Sequence, residues 1–353
     1  MVYLDKCDFT INSWLGRICT MNRLKKKSMR FVATLGFVLS AFLGCIFLSS
    51  AKAVDFESSK ILAEESSPSD FVVDGKGRLK SYEGYAEVVK IPSEVKIISY
   101  GTFMDRTEIK AVIFPEGLIS IDEYAFYGCS DICEVVLPES LQRVGRLAFG
   151  NCSKMEILYI GKGVKSWGEF TLLGCKNLSY ISVNEDNITY ECYDGILYDK
   201  RFEKLICCPS GREGEVQTHK NTVTINSYAF FDCDKIERII ISDNIRYMDE
   251  AAFCGCKNLS EVYMGNNVKK IRSACFQNCE SLKEFTVSGS VQSIGSIAFF
   301  NCASLMKITF LNSRTDIGEK IFSRGKNIVV RGYLGSSAER YAKKYGYAFE
   351  RIN

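Results

Sequence analysis

The chain has 353 residues, 46% of them hydrophobic and 25% charged, which is enough apolar material for a core and excludes a largely disordered chain. Five prolines exclude a collagen-like or proline-rich rod, and a single histidine, His219, excludes a multi-histidine metal centre. The formal charge of +3 belongs to the first 53 residues, which carry eight basic and two acidic side chains; the remainder, with 37 basic and 40 acidic, gives no electrostatic reason to expect nucleic acid.

Residues 1–53 read as a leader. Arg23, Lys25, Lys26, Lys27 and Arg30 precede an uncharged stretch over 31–50, and Ala51-Lys52-Ala53 supplies the small-x-small pattern of a signal-peptidase site. Cleavage after Ala53 is expected, with Met21 or Met29 as alternative initiators. The other reading is an uncleaved anchor over 31–50, because about 20 apolar residues span the hydrocarbon of a bilayer. Either way the body is expected to be secreted or at the cell surface, with membrane contact only through the leader. A flexible Ser/Glu-rich spacer should cover 54–70, and a hairpin over 71–84 should cap the N-terminal end of the body.

From there the sequence repeats. Phe103, Phe126 and Phe149 are 23 residues apart, Leu172 takes the next such place, and the series resumes at Phe230, Phe253, Phe276, Phe299 and Phe322. Cysteine follows three residues later, at Cys129, Cys152, Cys175, Cys233, Cys256, Cys279 and Cys302, with Arg106 and Gly325 in the terminal units. Alternation at Ile132, Val135 and Leu137 predicts a short strand with one buried face, ended by Pro138, which cannot donate to a ladder. Each unit is too short for a long helix and cannot bury its apolar edge alone, so stability must come from stacking on both neighbours. About nine such repeats over 85–331 are expected to make a solenoid.

The pattern Ile-Pro…Val…Ile-Gly…Ala-Phe…Gly-Cys…Leu…Val, seen for example from Leu282 through Ile294-Gly295, Ala298-Phe299 and Cys302, resembles the BspA-type leucine-rich repeats of bacterial surface proteins. The resemblance covers about residues 71–353. It implies a mainly β repeat solenoid of leucine-rich-repeat type, a curved right-handed coil with a parallel sheet along one face.

The 58-residue interval from Cys175 to Cys233 is one repeat enlarged by 12 residues. Tyr193-Asp194-Gly195-Ile196 in it is a hairpin signal, a second turn is expected near 199–203, and the whole, about 184–218, is expected to project as a β-flap. At the far end, over 332–353, Ser336 and Glu339 predict a capping box and a short helix stopped by Gly346. Ala338, Tyr341, Ala342 and Tyr345 would form its apolar face against the last layer.

Residues at one phase of a solenoid point in parallel, whereas zinc needs four converging ligands and a disulfide needs converging Cβ vectors. The cysteine series therefore reads as core packing, with a disulfide among Cys192, Cys207 and Cys208 left open. Asn184-Glu185-Asp186-Asn187 reads as a solvated turn, since the Asp-x-Asp-x-Asp-Gly calcium pattern is missing. His219 beside Cys207 or Cys208 is a nominal dyad without an orienting third group, so a surface histidine is the better reading. No cofactor, no metal and no enzymatic activity are expected.

What remains is the outward side of the strands. The first row is Ala111, Glu134, Ile157, Tyr180, Arg238, Glu261, Glu284 and Lys307; the second is Ile113, Val136, Tyr159, Ser182, Ile240, Tyr263, Thr286 and Thr309. Its middle gathers Ile157, Tyr159, Tyr180, Arg238, Ile240, Glu261 and Tyr263, aromatics rimmed by charge of the kind that marks interaction surfaces. A protein ligand on a host or bacterial surface is the expected partner, in the manner of an adhesin. A glycan or cell-wall ligand, with tyrosines against sugar faces, and a structural surface protein without a specific ligand are the alternatives.

Overall fold

The computed structural model describes residues 65–323 and 327–353. The leader, most of the spacer and Gly325 lie outside them. Each 23-residue unit contributes two strands. A longer one, such as Glu134–Val136 or Ile157–Ile160, pairs in parallel with its equivalent in the next unit; Glu134 faces Ile157 and Val136 faces Tyr159. A second, of two residues, such as Arg143–Val144, forms its own parallel ladder with Ser120–Ile121 and Ser166–Trp167. The alternation around Val135 pointed to the first ladder; the second is too short to show a period in the sequence.

Stacked side chains fill the space between the ladders. The Phe103, Phe126 and Phe149 rings, and those from Phe230 to Phe299, lie 4.8 to 5.4 Å apart and within 21° of parallel, all of them buried. Removing a side chain of this size from water is worth about 1.5–3 kcal/mol, and here the gain is realised only because the coil above supplies the next ring. Close approach of the coils explains the recurrent Ile-Gly: a Cβ on Gly295 would sit 2.3 Å from the Ser273 amide nitrogen. The residue before each ladder cysteine has left-handed backbone, and it is always one that tolerates it: Gly128, Asn151, Gly174, Asp232, Gly255, Asn278 and Asn301.

Both ends are closed. Phe71–Val73 pairs antiparallel with Arg78–Tyr82, which continues in parallel to Ile97–Ile98. At the other end the helix Ser337–Tyr345 lays Ala338, Tyr341 and Ala342 against the last coil, and Gly346 ends it in left-handed conformation at φ 75°. The capping box is only half formed. The Ser336 hydroxyl accepts from the Glu339 amide at 3.2 Å, but the Glu339 carboxylate takes the Gly335 amide rather than that of Ser336.

The enlarged repeat does not project. Tyr190–Tyr193 and Ile196–Asp199 form the expected hairpin through Asp194 and Gly195, both at positive φ, and Lys204–Cys207 runs antiparallel to the second strand. These strands then continue the short ladder, Lys204–Cys207 pairing in parallel with Thr224–Ile225. Ile196, Leu197 and Tyr198 are fully buried, Leu197 on the N-terminal part of the core and its two neighbours on the C-terminal part. The insertion is a wall inside the stack, because its own apolar residues have nowhere else to be covered. The turn over 184–187 that opens it is solvated at Glu185 and Asp186, as expected, but Asn187 is completely buried.

Candidate functional site

The outward side of the longer strands comes in separate sheets. Glu134–Val136, Ile157–Ile160 and Tyr180–Val183 form one, and Gly214–Gln217, Ile236–Ile240 and Glu261–Tyr263 form the next. Ile157, Tyr159 and Tyr180 thus share the first sheet, while Arg238, Ile240, Glu261 and Tyr263 share the second. The sequence-derived rows ran from Tyr180 straight to Arg238. In the structure the strand Gly214–Gln217 stands beside Arg238, in register Glu215 with Arg238 and Gln217 with Ile240, and is not hydrogen-bonded to Tyr180–Val183. The seven residues are therefore two groups of three and four. The missing row belonged to a segment assigned to a projecting flap, although the alternation in Gly214-Glu215-Val216-Gln217 was there to be read.

The first group is apolar. Val136 and Tyr180 are 53% and 45% exposed, with Ile157 and Tyr159 half-buried between them. Tyr159 is held in place at its hydroxyl, which accepts from the Asn184 amide at 2.8 Å and reaches the Glu139 carboxylate at 3.4 Å. Tyr180 lies over the hairpin turn, where a Cβ on Gly195 would sit 2.7 Å from its ring. Ile113, also exposed, extends this surface toward the N-terminal end.

The second group is a charge network. The Arg238 guanidinium donates to Glu215 at 3.0 Å and to Glu261 at 2.9 Å, bridging three coils. The Tyr263 hydroxyl donates to the same Glu261 oxygen at 2.9 Å, and the guanidinium stands 5.9 Å from the Tyr263 ring centre. The Tyr263 hydroxyl and then Arg238 hold the Glu261 carboxyl below the ordinary glutamate value. Beside this network Ile240 and Tyr263 line an open cleft of about 440 Å³ with Gln217, Lys220 and Asp243.

The remaining chemistry-bearing residues are engaged elsewhere. His219 packs among Phe202, Tyr193 and Tyr198, with ring centres 4.2, 4.8 and 6.3 Å away, and its Nδ1 accepts from the Asn221 amide. Burial, then Lys220, lowers its pKa, so it is a half-buried neutral ring rather than a surface base. The Cys207 and Cys208 thiols turn to the carbonyls of Cys208 and Pro209, away from any dyad. Burial pushes the Cys129 thiol up to about 12 and that of Cys254 to about 11, so neither is a thiolate nucleophile at neutral pH. The described cysteines are all free thiols, and among the described residues no cluster of His, Cys, Asp and Glu is placed to hold a metal. No helix among the described residues is long and apolar enough to cross a membrane.

Parallel coils of this period, with a stacked aromatic core and an open strand face, define a leucine-rich-repeat solenoid. The chain belongs to the BspA type leucine rich repeat family, whose model matches residues 82–197 and 212–329 in six copies. Among solved structures it is similar to the pneumococcal vaccine antigen PcpA, with 21% identity and a TM-score of 0.60 over 80% of this chain and 82% of that one. It is also similar to a leucine-rich repeat protein from Eubacterium ventriosum, with 18% identity and a TM-score of 0.51 over 74% and 72% of the two chains. A search of curated proteins returned no relative. At these identities the likeness speaks for the fold.

Proposed function

We propose that this chain is a non-enzymatic, adhesin-like module, secreted or held at the cell surface, that recognises another protein through its longer-strand face. The observation that carries the reading is the apolar group of exposed Val136 and Tyr180 with half-buried Ile157 and Tyr159 between them, followed along the axis by the Arg238 network. Protein interfaces concentrate their energy in aromatic and arginine side chains ringed by polar contacts. The first half supplies two tyrosines and the second Arg238 with Tyr263, and Tyr159 is pre-oriented by Glu139 and Asn184. Family membership and the vaccine-antigen neighbour support an extracellular setting and a binding role.

The test is replacement of Tyr159, Tyr180 and Tyr263 together by alanine. Binding to proteins of host matrix or of the bacterial envelope should fall while the melting temperature stays within a few degrees. Unchanged binding would remove this face from the reading. Capture of glycans but no proteins would replace it with sugar recognition, and the absence of any ligand would leave a structural spacer.

A further inference from the structure

The two-residue ladder has an outward side of its own, and its charge is unevenly distributed. Some of its cations are neutralised: Arg78 and Arg143 both lie against Asp122, and Arg272 against Asp249. On the longer strands Arg238 and Lys307 are matched in the same way. Arg246, Lys269 and Lys270, like Lys96 and Lys165 at the same phase of other coils, make no ion pair among the described residues, and here three such cations come together. They occupy two adjacent rungs. The Lys269 amide donates to the Arg246 carbonyl at 2.8 Å, and Lys270 is the register partner of Tyr247. Arg246 and Lys270 are exposed and Lys269 and Tyr247 half-buried. The result is a cluster of three cations without ion pairs, with Tyr247 on the same two rungs, on a body whose overall balance is acidic.

We propose that this block, centred on Tyr247, is a second binding surface whose ligand is an acidic polysaccharide laid along the solenoid axis. Charge complementarity sets the sign of the partner. The ring sets its kind: an aromatic side chain on the same rungs as the cations matches a pyranose ring that carries carboxylate or sulfate, with the apolar side of the sugar on Tyr247 and its anionic groups on Arg246, Lys269 and Lys270. The shape sets its extent. Its rungs lie in parallel register and repeat about every 4.8 Å, so it suits a chain lying across successive coils rather than an enclosed small molecule. Asp249 and Glu250 on the neighbouring corner, together with the acidic remainder of the body, disfavour a duplex or a membrane, which would need positive charge over a far wider area.

The full chain should be retained on heparin and alginate and not on neutral dextran, with elution by salt as screening sets in. Arg246→Ala/Lys269→Ala/Lys270→Ala should weaken this roughly tenfold or more at an unchanged melting temperature. Lys235→Ala/Lys307→Ala, which removes paired cations elsewhere, should bind as the parent does. Tyr247→Ala, which alters no charge, should also weaken retention. Retention on only one of the two acidic polymers supports the surface and identifies the anionic group it reads. No retention of the parent chain, or a triple variant that binds as the parent does, overturns the proposal. So does equal affinity for phosphatidylserine vesicles or duplex DNA with Tyr247→Ala without effect, which would reduce the block to bare charge. Because the strand-face tyrosines are untouched, this test is independent of the one for protein recognition.

Discussion

The Cys279 thiol donates to the Phe253 carbonyl at 3.2 Å, across one turn of the coil. The same bond recurs from Cys129 to Phe103, Cys152 to Phe126, Cys175 to Phe149, Cys256 to Phe230 and Cys302 to Phe276, at 3.0 to 3.3 Å. Each carbonyl also accepts the amide three residues on, as Phe253 does from Cys256. The cysteine series therefore fills the core and saturates a second lone pair that no backbone donor reaches. This is why a small hydrophobe with a weak donor stands there rather than alanine or valine.

Cys279→Ala should cost about 1–2 kcal/mol, the sum of a small cavity and a lost weak hydrogen bond, measured by urea denaturation. Cys279→Ser keeps a donor and should lose less. A serine variant as unstable as the alanine variant would take the hydrogen bond out of the explanation and leave packing alone.

Asn187 is the larger liability. Its amide donates to the carbonyls of Gly161 and Val164 at 2.9 and 3.1 Å, and its Oδ1 accepts from the amides of Thr189 and Tyr190 at 2.8 Å each. Truncation removes a partner from four backbone groups at the base of the insertion, most of them buried. Asn187→Ala should cost about 3 kcal/mol or more. Asn187→Asp, which retains the acceptor but sets a carboxylate oxygen against two carbonyls, should be no milder. A thermal melt that moves by less than a few degrees for either would contradict this placement.

The Arg238 network carries a pH signature. The Glu261 carboxyl is depressed by the Tyr263 hydroxyl and by Arg238 from an ordinary value of 4.5. A depressed carboxylate favours the folded arrangement at all pH above that ordinary value and loses the contribution only as pH falls through the lowered one. Titration of the Glu261 carboxyl by ¹³C NMR should give a midpoint under 4.5, and Arg238→Ala should raise it. Both groups are fully exposed, so the same substitution should leave the melting temperature unchanged while weakening the protein partner. An unmoved midpoint would mean that the bridge does not persist in solution.

Much of the fold was open to reading because the repeat is a local rule. Phe126, Cys129, Gly128 and Leu137 recur at fixed phase, and a unit too small to bury its own apolar edge can do little but stack. Hydrophobic period, left-handed tolerance at Gly/Asn/Asp and the helix signals at Ser336 and Gly346 all act over a few residues, so a single chain displays them. The candidate face was legible only residue by residue. Tyr180 and Arg238 were each placed on an outward strand position, yet they were taken as neighbours.

What the chain sequence determined alone is the class of coil, its period and its two ends. What only the tertiary structure decided is everything that depends on which coil lies beside which. Cys208 donates its amide to the Ala229 carbonyl as Phe230 does to Ala252, so it holds the phenylalanine position of an extra coil, although nothing in its neighbours marks it. Glu215 meets Arg238, Asn187 closes on Gly161, and Arg246, Lys269 and Lys270 are left without a counter-charge. Each of these relations joins residues a coil or more apart in sequence. Their energy comes from contact across the stack, which a local pattern cannot encode once an insertion breaks the count.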